Sequence, residues 1–188
     1  MRDAHFGCLM KKAFLAIDIL LMSAISVFAV DIPKDCRVAN IPPGYCCWAS
    51  LETLGKVHKI SSLDGLLESR TKENDTIVVY PGGLHHVEPK NYGYDHAISS
   101  KLTDLKVKFW MNFTGSFDRS LLKYANSHGC LVGLKAGARG KLGHGIVLTH
   151  YDDKIIRFYD SNQSNDTWEG SREWFDFWWS GMTVVVEK

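Results

Sequence analysis

The chain predicts an α+β fold, with N-terminal helices packed on a C-terminal antiparallel sheet. Three observations lead there. Helical apolar spacing is concentrated in the first half, notably at 46–58. From residue 130 onward, short β-branched or apolar runs follow one another. Strands and helices do not alternate in the manner of βαβ units. In order, residues 46–58 predict a helix, and "SSLDGLLESR" at 61–70 a second one capped by Ser62. The Gly-, Pro- and Tyr-rich stretch 80–97 reads as loop, and "LKVKFW" at 105–110 alternates like a strand. "SFDRSLLKYANSHG" at 116–129 predicts a helix closed by Gly129. Strands are then expected at 130–135, 145–151, 155–159 and 182–187, with a helix at 171–181 capped by Ser171 and stopped by Gly181.

The chain has 188 residues, 45% of them hydrophobic, which suits one globular core and is short for two. With 22 basic and 21 acidic side chains the net charge is +1, so no electrostatic attraction to nucleic acid is implied. Residues 1–29 stand apart. Met10-Lys11-Lys12 precede an apolar run, 13–29, that ends in Val27-Phe28-Ala29. A basic start, a short apolar stretch and small residues at the end are the pattern of a secretory signal cleaved after Ala29. The expectation is therefore an exported single domain, 30–188. The alternative is an uncleaved anchor at 13–29, the one route by which a membrane enters.

Removal of that signal leaves Cys36, Cys46, Cys47 and Cys130. Export permits a disulfide, Cys36 with Cys130 or equally with Cys47, but there is no C-x-x-C pair to suggest a zinc or thioredoxin-like site. The doubled cysteine opens the 46–58 helix, directly after Pro42-Pro43-Gly44-Tyr45. A helix N-terminus favours a thiolate, the form in which cysteine is a nucleophile. At about 100° per residue, Cys47, Leu51, Leu54 and His58 share one stripe, while Cys46 falls on the flank with Ser50 and Thr53. Cys47 is thus expected in the core and Cys46 toward a cleft.

A thiol nucleophile needs a base and a group that orients the base. "GHGIVLTHYDDKIIRFYDSN" offers His144 before one strand and Asp160 after the next. A tight hairpin at Tyr151–Lys154 would set His144 opposite residue 160 or 161, so that Asp160 holds the imidazole and leaves its other nitrogen for the thiol. His85, His86 and His96 lack zinc-ligand spacing and read as surface loop. Trp174 and Trp178, four residues apart on the last helix, read as core packing.

These segments resemble the papain-like cysteine peptidases, and within them the peptidase C39-like branch. "CCWASLETLG" is similar to that branch's Cys-Gly-Pro-Ala-Ser-Leu helix opening, with Cys46 at the nucleophile. "HGIVLTHYDDKIIRFYDSN" has the clan's spacing of fifteen residues between His and Asp or Asn, and "FWWSGMTVVVEK" resembles the C39-like ending. The resemblance implies a papain-like fold. It also implies hydrolysis of a peptide or amide bond through a Cys46–His144–Asp160 triad and an acyl-enzyme, with no metal or cofactor. The clan's oxyanion-hole amide lies six residues before the nucleophile. That position is Asn40 for Cys46 and Ile41 for Cys47. Cys47 stays open as the alternative nucleophile, because Cys47-Trp48-Ala49 is similar to the papain Cys-Trp-Ala run. A papain-like binding domain without turnover, or an acyltransferase with the same triad, are the competing functions. The expected partner is a peptide or protein substrate, with specificity lying in 80–97, 111–116 and 136–143.

Overall fold

The structure, a computed structural model, describes residues 29–40, 44–72, 93–136, 141–163 and 166–188. Residues 1–28 of the signal expected at 1–29 and most of the loop expected at 80–97, with His85 and His86, lie outside the described residues. Helix α1, Cys46–His58, is the central element. Its start follows the turn at Gly44, which takes a positive φ of 91°. It ends at Lys59, in the left-handed conformation, where the Ile60 N–H closes on the Gly55 carbonyl at 2.8 Å. Every residue from Cys47 to Gly55 is buried, so the helix is enclosed all round rather than on one stripe. Val38 N–H donates to Thr53 Oγ1 and Leu67 N–H to Glu52 Oε2, which gives the polar residues of the enclosed turns partners.

Helix α2 covers Leu66–Lys72 after a 3₁₀ turn at Ser61–Leu63, in place of one helix over 61–70. The turn lies so close to α1 that a Cβ on Gly55 would fall 2.5 Å from Leu63 Cβ. Helix α3, Gly93–Asp104, falls partly within the expected loop. Strand β1 is Lys108–Asn112, displaced toward the C-terminus from the expected 105–110 because Lys106, at φ 55°, turns the chain out of α3.

The remaining elements are β2 (Cys130–Ala136), β3 (Lys141–Tyr151), β4 (Ile155–Tyr159), β5 (Thr167–Ser171), α4 (Arg172–Trp178) and β6 (Trp179–Glu187). They form one antiparallel sheet in the order β1-β6-β2-β3-β4-β5. Alternation along the strands sorts side chains to two faces. Leu131, Val147, Tyr159, Met182, Val184 and Val186 pack against α1, with Cys47, Trp48, Leu51 and Leu54. Cys130, Val132, Ile146, Leu148, Ile156 and Val185 meet Leu122, Ala125 and Phe175 on the other face. The sheet therefore has a core on each side.

Three expectations are corrected. Residues 116–129 contain only a 3₁₀ helix, Leu122–Asn126, because Ser116 and Asp118 cap nearby backbone N–H groups, of Asp118 and Ser120 respectively, and hold local turns. The last helix stops at Trp178, and Gly181 (φ 98°) lies inside β6, where the pairing with β2 shifts register. Trp174 is 40% exposed and stacks on Phe158, whereas Trp178 is half-buried against the core and Trp179 lies inside it.

Candidate active site

Cys46 is the first residue of α1, and the preceding Tyr45 offers no side-chain cap. The first-turn N–H groups are therefore left to act on whatever anion sits there, and the positive end of the helix favours a thiolate. Cys46 is half-buried, and Cys47, 1% exposed, lies in the core. The pair divides as expected, but by position rather than by helical face: Ser50 and Thr53, on the Cys46 flank, are buried, and Cys46 is less enclosed as the first residue of the helix.

Strand β3 meets α1 at Gly145. Its N–H donates to Cys46 Sγ at 3.2 Å, and Ser50 Oγ, one turn along α1, donates to its carbonyl at 3.3 Å. A Cβ here would fall 2.6 Å from Cys47 Sγ and 3.2 Å from Cys47 Cα. Glycine is required because strand and helix touch at this point. The N–H donor to the thiol is a feature the sequence reasoning missed. The Gly next to His144 is the signal that could have revealed it.

His144 Nε2 lies 2.7 Å from Asp160 Oδ1. With Nε2 committed to the carboxylate, Nδ1 is the imidazole nitrogen left to serve the thiol. The register that achieves this differs from the expected one. The hairpin closes between Asp152 and Ile155, whose backbone bond is 3.2 Å, and a bulge follows between Leu148 and His150. Val147 then pairs with Tyr159. Carried one residue further, that register would set Asp160 against Ile146, so His144 reaches it diagonally along the strand pair.

The charges of the site reinforce one another. The Cys47 thiol donates to Cys46 and, although burial opposes ionisation, this bond with those of His144 and Gly145 lowers Cys46 to about 4. Cys47 itself is pushed well above the ordinary thiol range by that same bond, by burial and by the Cys46 and Asp95 charges. Burial disfavours the His144 imidazolium, but hydrogen bonds with Asp160 and Cys46 more than offset it and raise His144 to about 9. Asp160 is lowered despite its burial, by His144 and by the Asn162 N–H. The two shifts run in opposite directions, the thiol lowered and the imidazole raised, which is the sense that favours a thiolate–imidazolium pair.

Asn40 lies beside the 3₁₀ turn Ser161–Gln163. Its backbone N–H donates to the Ser161 carbonyl at 2.8 Å and its Nδ2 to Asn162 Oδ1 at 2.7 Å. One of the two Nδ2 hydrogens is used there, and among the described residues no acceptor takes the other. Asn162 was not singled out from the sequence. Cys36, Cys46, Cys47 and Cys130 are all free, so neither expected disulfide forms, and Cys36 and Cys130 belong to cores on opposite sides of the sheet. His96 is exposed and packs against Phe113 at 5.7 Å. Among the described residues no cluster suits a metal ion and no helix is long and apolar enough to cross a membrane.

No family model matches the chain, and no curated protein does. Solved structures are similar over most of its length, among them the following two. One is a double glycine motif protease from an AMS/PCAT transporter in complex with the leader peptide. It is 12% identical with a TM-score of 0.55, over 86% of this chain and 95% of that one. The other is the peptidase domain of Streptococcus ComA, a bi-functional ABC transporter involved in quorum sensing. It is 17% identical with a TM-score of 0.53, over 80% of this chain and 96% of that one. At such identities the likeness is one of architecture, and with helix, strand order and site geometry already placed it gives a single conclusion: this chain has the papain-like fold of the C39 peptidase domains.

Proposed function

We propose that the protein is a papain-like cysteine peptidase that hydrolyses a peptide or amide bond through Cys46, His144 and Asp160. The observation that carries the reading is the thiol at the start of α1, which accepts the Gly145 N–H at 3.2 Å while the adjoining His144 imidazole lies 2.7 Å from the Asp160 carboxylate. The Cys46 thiolate attacks the scissile carbonyl carbon, and the carbonyl π pair moves onto oxygen. The Cys46 backbone N–H and the remaining Nδ2 hydrogen of Asn40 stabilise that oxyanion, a contribution worth about 10²–10³ in rate per donor. As the intermediate collapses, the C–N bond breaks and His144 gives its proton to the departing amine. Water then attacks the thioester with His144 as base, and the thiolate leaves. Asp160 keeps the imidazole in the tautomer and orientation both steps need.

A peptide substrate is supported by the similar protease solved with a leader peptide. Export is a separate proposal. It rests on the Met10–Ala29 pattern, and a secreted product beginning at Val30 by N-terminal sequencing would bear it out. The activity is tested by exposing wild type and Cys46→Ala to a mixed peptide library and reading products by mass spectrometry. Cleavage by wild type alone is expected. Equal cleavage by both, or iodoacetamide labelling of Cys47 in place of Cys46, would overturn the assignment.

A further inference from the structure

Asn162, in the 3₁₀ turn after β4, belongs to no part of the triad yet touches both ends of the site. Its Oδ1 accepts from Asn40 Nδ2 at 2.7 Å, and its backbone N–H donates to Asp160 Oδ1 at 2.9 Å. The same Asp160 oxygen receives His144 Nε2 at 2.7 Å. One turn thus joins Asn40, Asp160 and His144, and the turn is itself closed by the Gln163 N–H on the Asp160 carbonyl at 2.9 Å. On the opposite side of the Asn40 amide, Oδ1 is buried and has no hydrogen-bond partner among the described residues. Among the described residues the Asn162 bond is therefore what fixes the amide's rotation, since an Asn40 amide flipped alone would bring two oxygens together.

We infer that Asn162 is a positioning residue that clamps the Asn40 amide and aims its second hydrogen at the developing oxyanion. This inference rests on the proposed peptidase reading. The clamp ties one donor of the oxyanion hole to the same turn whose backbone N–H holds the triad carboxylate. It makes a prediction that a purely structural asparagine would not. Loss of the side chain should slow steps that pass through a tetrahedral oxyanion and spare reactions of the thiolate that do not.

The experiment compares two reactions at Cys46 in wild type, Asn162→Ala, Asn162→Asp, Asn40→Ala and the Asn40→Ala/Asn162→Ala double variant. Alkylation by iodoacetamide is a displacement at saturated carbon and forms no oxyanion, whereas acylation by p-nitrophenyl acetate forms one and releases p-nitrophenolate. Asn162→Ala should alkylate within about twofold of wild type and acylate about tenfold more slowly, the scale of a misaimed donor. Asn162→Asp keeps the acceptor and should recover most of the acylation rate. The double variant should be no slower than Asn40→Ala, because the two act as a unit. Wild-type acylation in Asn162→Ala, equal losses in both reactions, or multiplicative losses in the double variant would each overturn the clamp. A wild-type protein that neither alkylates at Cys46 nor shows a p-nitrophenolate burst would instead overturn the peptidase reading beneath it.

Discussion

Gly145→Ala is the perturbation most directly tied to the way the sheet meets α1. Gly145 does not have a positive φ, unlike Gly44, Gly65, Gly115, Gly129 and Gly181, so its backbone accepts alanine and the effect is steric. The added methyl would stand 2.6 Å from Cys47 Sγ and 3.2 Å from Cys47 Cα and Leu131 Cδ1. The first contact is roughly 1 Å inside ordinary van der Waals separation. Overpacking of that kind costs about 1–3 kcal/mol, and the stiffer unfolded chain returns about 0.4–1 kcal/mol. A net loss of about 1–2 kcal/mol is expected, measured by urea unfolding. Relief requires β3 to move away from α1, which also draws the Gly145 N–H and His144 from the Cys46 thiol. A displacement near 1 Å lowers acylation by p-nitrophenyl acetate up to about 10²-fold. Cys47→Ala in the same chain removes the clashing sulfur. Stability lost in the double variant should then be less than the sum of the two single losses by about 0.5 kcal/mol or more. Wild-type stability in Gly145→Ala, or strict additivity with Cys47→Ala, would refute the close-contact account.

Three further outcomes follow from the same geometry. The rate of acylation should be bell-shaped in pH, rising through about 4 as Cys46 loses its proton and falling through about 9 as His144 loses its own, read from stopped-flow p-nitrophenolate release. Asp160→Ala should move the alkaline limb to lower pH, since the carboxylate stabilises the imidazolium, and should lower acylation by about 10²–10⁴-fold. Tyr159→Phe removes the bond from the buried Tyr159 hydroxyl to the Val38 carbonyl at 3.0 Å, and should lower unfolding stability by about 1 kcal/mol while leaving the alkaline limb in place.

Where the sequence was legible, the reason is apolar content. The 46–58 helix and the runs at 130–135, 145–151 and 155–159 are dominated by side chains that one core or the other encloses. The helix at 93–104 was not legible, because its buried positions are Asp95, Ile98 and Leu102, and an acid in the first of them breaks the apolar period. Asp95 is buried because it accepts the Thr114 N–H at 2.7 Å and its hydroxyl, partners nineteen residues away that no local pattern reveals. Strand 167–171 was missed for the opposite reason. It is an edge strand with no buried residue and so carries no alternation.

The sequence by itself determined the class of the fold, the placement of a cysteine at a helix start and the presence of a His and an Asp flanking one hairpin. These follow from local spacing, which propensity and periodicity encode. Only the tertiary structure decided how the groups meet. The two-residue diagonal between His144 and Asp160 depends on a bulge at 148–150, the Gly145 donor on the close approach of strand and helix, and the Asn40–Asn162–Asp160 linkage on a segment returning to a turn over a hundred residues away in the chain. Each is set by backbone geometry summed over distant elements, and hydrogen bonds of about 3 Å are sensitive to shifts that leave every local pattern unchanged.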